Sequence, residues 1–215
     1  MEFFSNVLQI YSERWPWFME LLGEQLRISL LSILISGSIG LLLGIFIAEY
    51  RRFAEPIIGV CNVFYTIPAI ALLGLLIPLV GIGEKNAIIA IVLYGLMPMV
   101  RNTYTGITNI SSDLIDAAVG MGSTKRQLLL RIKLPLATSV IIAGLRNLVV
   151  ISIATGSIAA FIGGGGLGDA IFRGITMYNT EMIFAGSLML VLLALICDYS
   201  LSRVEKYIKK KWRVE

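Results

Sequence analysis

Few residues in this sequence could do chemistry, and the missing types narrow the choices first. The chain of 215 residues contains no His, which removes an imidazole acid or base, a Ser-His-Asp triad and His metal ligands. Cys61 and Cys197 stand far apart in apolar stretches and no C-x-x-C occurs. They read as buried small hydrophobes, not as a zinc or redox site. Gly163-x-Gly165-x-x-Gly168 matches the letters of a dinucleotide fingerprint. It follows a long apolar run that reads as a membrane helix rather than a strand, so a flexible or tightly packed turn is the better reading. Gly122-Ser123-Thr124-Lys125 only scrambles a P-loop. No ATP site, metal or other cofactor is expected on this chain.

What positions the remaining polar residues is a set of apolar helices. The composition is 57% hydrophobic and 15% charged, against about 45–50% and about 25% in soluble domains. Crossing a bilayer takes about 20 mostly apolar residues. Residues 28–48, 57–83, 86–100, 147–168 (extending back through Arg146) and 182–197 give five candidate spans. Arg51 and Arg52, then Arg101, Lys125, Arg126, Arg131 and Lys133, then Arg203, Lys206, Lys209, Lys210, Lys211 and Arg213 fall on one side of this alternation. Arg14, Lys85 and Arg173 fall on the other. Cytoplasmic loops carry the excess of Lys and Arg, so the N-terminus is placed outside and the C-terminus in the cytoplasm. The start, Met1-Glu2-Phe3-Phe4, lacks the basic region of a signal peptide, and the first span is expected to direct insertion itself. Trp15, Trp17 and Trp212 flank the first and last spans as interface anchors. The basic tail reads as a flank beside anionic lipid, not as a nucleic-acid site.

Within the spans, Gly40 and Gly44 form a G-x-x-x-G that would let two helix backbones approach closely. Pro68, Pro78 and Pro98 are expected to kink or break their helices, which makes Phe64, Tyr65 and Pro68 candidates for a pathway. Arg146 lies inside an apolar segment. A charge there needs a partner, and Glu49 or Asp198 could supply it in a structural or gate-forming ion pair. Asn147, Ser152 and Thr155 add hydrogen-bonding groups to the same segment; each could line the path or bond a neighbouring helix. No Trp lies in mid-membrane, and Phe64, Tyr65, Tyr94 and Phe161 are scattered in sequence. Tight recognition of any solute is therefore expected elsewhere, with a weak and polar path through this chain.

The connection from Arg101 to about Pro135 is too long for a turn. Ser111-Ser112-Asp113 reads as a helix start. Gly120 and Gly122 interrupt that helix, and Thr124-Lys125-Arg126-Gln127 has the form of a capping box. Pro135 should keep Leu134 out of helical geometry. Two short cytoplasmic helices with a glycine joint are expected. Ala117 and Ala118 give helix propensity with little bulk, Gly122 permits a sharp change of direction, and Asp116 places negative charge near a helix N-terminus. An amphipathic loop on the bilayer surface is the bland alternative, and Lys125, Arg126 and Arg131 would suit it.

Asp116-Ala117-Ala118-x3-Gly122-x9-Ile132-x-Leu134-Pro135 resembles the EAA motif, E-A-A-x3-G-x9-I-x-L-P, of binding-protein-dependent ABC transporter permeases. Every spacing fits, and Asp116 in place of Glu is the single departure. The resemblance runs over about residues 21–203. Residues 65–73, 77–83, 101–106 and 159–168 look like the osmoprotectant permeases that import glycine betaine, carnitine or choline. Methionine permeases are similar in size and share the Gly-rich segment, but match less well in the second and third spans.

The resemblance implies an all-α membrane protein, a type I ABC importer permease of the methionine-permease (MetI-like) fold, with five transmembrane helices and cytoplasmic coupling helices. Its parts are an external N-terminal segment (1–20), a transmembrane domain (21–203) and a basic cytoplasmic tail (204–215). It implies a bacterial inner-membrane location, a second permease copy or paralogue, an extracytoplasmic substrate-binding protein, and ABC ATPase subunits that hold ATP and Mg. Asp116, Ala117, Ala118, Gly122, Ile132, Leu134 and Pro135 would form the ATPase-coupling element. A permease for another small solute such as methionine, or a carrier working without an ATPase, stays open as an alternative.

Overall fold

In this computed structural model residues 2–212 are described, with side chains for residues 2–209. Trp212's ring and all of Arg213 therefore lie outside the described residues. Among those described, every regular element is helical. In order they are α1 (Glu2–Glu49), α2 (Ala54–Thr66), α3 (Ala69–Val80), α4 (Glu84–Thr108), α5 (Ser112–Gly120), α6 (Lys125–Gln127), α7 (Leu134–Ile158), α8 (Gly168–Thr176) and α9 (Thr180–Trp212). Four stretches are long and apolar enough to cross a membrane, and α2 with α3 makes a fifth as one bent pair.

The span boundaries differ from the sequence expectation in ways that have local causes. α1 takes in residues 2–20, read above as a separate external segment, and reaches about 70 Å, well beyond a bilayer core of about 30 Å. It bends at Arg14 (φ −120°, ψ 20°), two residues before Pro16, whose ring and missing N–H disturb the preceding turn. The arm before the bend packs on the start of α9. Tyr11 donates to the Ala185 carbonyl at 2.7 Å, and Phe3 and Phe4 meet Phe184 edge-on.

The expected second span, 57–83, is two helices bent by 101°. Pro68 has no N–H and forces its predecessor out of the α region. Ile67 (ψ 130°) and Pro68 (ψ 137°) are both extended. Pro78 and Pro98 lie inside α3 and α4 and end neither helix. Asn86 ties the bent pair to α4, donating to the Gly81 carbonyl at 2.8 Å and the Leu73 carbonyl at 3.2 Å. The third span extends past Arg101 to Thr108, so the connection that follows it begins eight residues later than expected. The fourth continues without a break from Lys125 to Ile162.

α4 forms the centre, with α1 on one side and α7 on the other. Ile28, Leu73, Ile91, Tyr94 and Ala159 form one buried cluster; Ile47, Cys61, Met97 and Val100 form another. The G-x-x-x-G of α1 sits against α4. A Cβ built on Gly40 would lie 2.7 Å from Met99 Cβ, and one on Gly44 would lie 2.4 Å from Thr103 Cβ. Close approach explains both glycines. Outward faces are apolar, with Leu30, Leu34 and Leu42 of α1 and Leu192 and Leu195 of α9 exposed, as expected of a bundle in lipid.

Candidate functional site

The motif residues gather at the end of the bundle that carries the basic loop. α5 is capped by geometry that its sequence spacing encodes. Gly122 N–H donates to the Val119 carbonyl at 2.9 Å and Ser123 N–H donates to the Ala118 carbonyl at 3.1 Å. These are the two bonds of a Schellman cap, with Gly122 at the left-handed position (φ +83°). Such a cap fixes three residues between the accepting alanine and the glycine, which is the Ala118-x3-Gly122 spacing. Ala118 is buried, whereas Asp116, Ala117 and Gly122 are exposed. A Cβ on Gly122 would meet nothing within 4 Å, so its constraint within this chain is conformational. Asp113, not Asp116, occupies the first turn of α5. Asp116 sits a turn further in, which removes most of the dipole stabilisation expected for it.

After this cap the chain starts again at Thr124. Its N–H donates to Gln127 Oε1 at 2.9 Å and its Oγ1 accepts from Gln127 N–H at 3.3 Å, the capping box anticipated from sequence. A separate second short helix does not form. Leu128–Lys133 take a π-helical turn that runs directly into α7. Pro135 offers no N–H to the Arg131 carbonyl, and Leu134 N–H bonds instead to the Leu129 carbonyl. The widened turn absorbs the missing donor, and Leu134 is helical (φ −64°, ψ −46°), against expectation. Ile132, Leu134 and Pro135 are half-buried where this turn meets the bundle. Lys133 pairs with Glu49 and fixes the base of α7 to the end of α1.

Of the two partners expected for Arg146, Asp198 is the one it meets, and Glu205 joins it. Its Nε and Nη2 donate to Asp198 Oδ1 at 3.1 and 2.9 Å, and Nη1 donates to Glu205 Oε2 at 2.8 Å. Glu205 also receives Lys209 Nζ at 2.9 Å. The network joins α7 to α9. Glu205 went unnoticed in sequence, although it follows Asp198 by two helical turns and so shares its face.

A second candidate site lies at the break between α2 and α3. A cavity of about 390 Å³ is lined by Tyr65, Thr66, Pro68, Tyr94 and Thr155, among others. Tyr94 is buried and donates its O–H to the Ile67 carbonyl, one of the groups the break exposes. Phe64 packs against the core cluster beneath. Along α7, Ile151 and Thr155 are one turn apart and line this cavity, whereas Asn147, a turn earlier, is exposed and does not line it. Ser152 is fully buried and donates to the Leu148 carbonyl of its own helix at 2.8 Å. Arg146 lies on roughly the opposite side of α7.

The Gly-rich run forms a tight turn at the other end of the bundle. Gly163, Gly165 and Gly166 have positive φ, and Gly166 N–H donates to Glu24 Oε2 at 2.9 Å. A carboxylate of the chain already fills the place a phosphate would take. A Cβ on Gly168 would lie 1.9 Å from the Ser157 carbonyl oxygen. α8 then packs on α9 with Leu167 and Ala170 buried, a short amphipathic helix that the span analysis overlooked.

Residues 40–214 match the model of the binding-protein-dependent transport system inner membrane component. The chain belongs to that family. This inner-membrane component is 40% identical to the glycine betaine/carnitine/choline transport system permease protein OpuCD of Bacillus subtilis (strain 168), over 98% of this chain and 94% of that one. It is 38% identical to the choline transport system permease protein OpuBB of the same organism, over 85% and 84%. The carnitine transport permease protein OpuCD of Listeria monocytogenes serotype 1/2a (strain 10403S) is 37% identical over 96% and 93%. The fold matches a chain of the MetNI methionine ABC transporter in an inward-facing conformation, with a TM-score of 0.81 at 22% identity, covering 89% and 95%. An amino acid ABC transporter crystallised with histidines matches with a TM-score of 0.74 at 20% identity, over 91% and 96%. The multi-pass helical fold expected from sequence is the one found.

Proposed function

We propose that this inner-membrane component is a permease subunit of an ATP-driven importer for quaternary-ammonium osmoprotectants such as glycine betaine, carnitine and choline. Full-length similarity to OpuCD carries this reading, at 40% identity over 98% of the chain. A binding protein delivers the solute from outside, and two permease chains form the path. The loop of Asp116, Ala117, Ala118, Gly122, Ile132, Leu134 and Pro135 docks in an ATPase subunit that holds ATP and Mg. The exposed apolar side chains of Leu114, Val119 and Met121 support that docking, since apolar side chains left uncovered on a short helix among the described residues suit a socket on another protein. The N-terminus lies outside and the basic C-terminal segment lies in the cytoplasm, a reading that the distribution of Lys and Arg supports.

The unbroken helix from Lys125 to Ile162 gives the mechanism its lever. A push on the coupling loop moves the base of α7, and α7 carries Ile151 and Thr155 beside the cavity. Closure of the ATPase pair on ATP turns the path outward, and release of its products turns it inward. The test is uptake of labelled glycine betaine, carnitine and choline into a strain lacking its own osmoprotectant transporters, with the complete transporter expressed. Saturable, ATP-dependent uptake of at least one is expected. Uptake of methionine alone would refute the substrate assignment.

A further inference from the structure

The break between α2 and α3 brings together two aromatic rings that are distant in sequence. Tyr65 and Tyr94 have ring centroids 6.2 Å apart with planes inclined at 60°, and both line the cavity of about 390 Å³. Tyr94 is held in place by its O–H bond to the Ile67 carbonyl and by the buried cluster around it. Tyr65 is 42% exposed and stands on the last turn of α2, one residue from the break. Thr66 and Thr155 add hydroxyls to the wall, and none of the lining residues is charged.

We propose that Tyr65 and Tyr94 form a transient subsite for a quaternary ammonium group inside the permease, a reading that rests on the function proposed above. A cation within about 6 Å of a ring centroid is attracted by the ring's negative face. An ammonium about 4.5 Å from each centroid falls within reach of both rings. The methyl groups meet aromatic carbon, and the oxygen end of the solute meets Thr66 and Thr155. Without a carboxylate in the wall the attraction stays weak, which suits a site that must release its solute. Tyr65 moves with α2, whereas Tyr94 is fixed in the core. Bending at Ile67-Pro68 therefore changes the angle between the rings, and couples subsite strength to the conformation of the path.

The test uses the complete transporter in nanodiscs without its binding protein, with glycine betaine as probe and saturation-transfer NMR on its N-methyl protons. Position 65 carries Tyr, Phe, or phenylalanine with one, two or three ring fluorines, which drain the ring's negative face while keeping its shape. Transfer to the methyl protons is expected for wild type, with Tyr65→Phe within about twofold and affinity falling stepwise along the fluorine series by about 3- to 30-fold in total. A ring serving only to pack would show no such gradient. Absence of transfer in wild type, or a flat series, overturns the subsite. Uptake of glycine betaine by the same transporter with its binding protein separates the two ideas. Uptake with a flat series refutes the subsite alone, whereas no uptake of any quaternary ammonium solute refutes the parent reading and the ligand class with it.

Discussion

Arg146→Met tests whether the network joining α7 and α9 is a brace or a part of the path. The guanidinium gives two bonds to Asp198 Oδ1, one to Asp198 Oδ2 at 3.1 Å and one to Glu205. Removing one partner of a fully buried pair costs about 3–5 kcal/mol, but exposed pairs are worth about 0–1 kcal/mol. This network lies between those limits. Asp198 is 39% exposed and water would recover part of its loss, while Glu205 is 11% exposed and keeps Lys209. The expected destabilisation of Arg146→Met is therefore about 1.5–3 kcal/mol. At about 2–4 °C per kcal/mol for a chain of this size, thermal unfolding in detergent should fall by about 3–12 °C. Arg146→Lys should fall less, because it keeps the positive charge, but should still fall, because an ammonium cannot fork between two carboxylates. Combining Arg146→Met with Asp198→Leu and Glu205→Met removes the stranded charges and should return stability to within about 1 kcal/mol of wild type. Uptake should return with it. An unchanged unfolding temperature for Arg146→Met would refute the brace. A triple variant restored in stability but without uptake would place Arg146 in the gate instead.

The other expectations follow from individual positions. Gly122→Val should leave the fold assembled, since no neighbour meets its side chain, but cost about 1–2 kcal/mol from left-handed strain in the α5 cap and abolish uptake by uncoupling the ATPase; normal uptake would refute the coupling role. Gly44→Val drives a side chain into Thr103 and should destabilise by about 1–3 kcal/mol or more, whereas Gly59→Ala, inside α2 with nothing within 4 Å, should stabilise by about 0.5–1 kcal/mol through helix propensity. Burial pushes the Asp169 carboxyl up against the opposing pull of Arg173, with Glu24 adding to the rise. Its folded pKa thus lies above the unfolded one, so the stability it contributes is present at low pH and lost as pH rises through the folded value. Asp169→Asn should unfold at a higher temperature than wild type at neutral pH, and the difference should vanish below the usual carboxylate range.

The parts that were legible in sequence share a cause. The α5 cap, the Thr124 box and the break at Pro68 are local, each fixed by a few consecutive residues whose backbone demands are known. Partner choice across helices was not legible. Arg146 could be assigned a need for an anion, but Glu49 and Asp198 looked equivalent until Lys133 was seen to hold Glu49. Pro135 misled for another reason. Its effect on Leu134 assumes α-helical spacing, and a π-helical turn lets the helix continue at the expense of one widened loop of backbone. Tyr65 and Tyr94 were invisible as a pair because a bend of 101° brings them together, and hydropathy records the presence of a span without its direction.

The distribution of close glycine contacts separates a rigid part of the bundle from a movable one. Gly40 and Gly44 press α1 on α4, Gly95 of α4 meets Leu148 of α7 and Ser36 of α1, and Gly144 of α7 meets Asn102 of α4. At these crossings backbones are too near for sliding without steric loss. Gly59 of α2 and Gly74 of α3 have no neighbour within 4 Å, so the bent pair lacks such keyed crossings and is joined to α4 through Asn86, Tyr94 and a smooth apolar face. Under the coupling role proposed above, displacement of the 112–135 loop moves α1, α4 and α7 largely as one body, because Lys133–Glu49 at the base and the glycine crossings above leave little room for α7 to shift alone. Relative motion falls to the bent element beside the cavity, α2 with α3. The joint of that element is Ile67-Pro68, where the Tyr94 hydroxyl reads the position of the backbone. A Tyr94→Phe variant keeps the ring and deletes this bond, so it should bind ATPase and fold normally while altering the coupling between ATP hydrolysis and uptake; an unchanged ratio of ATP hydrolysed to solute moved would show that the hinge lies elsewhere.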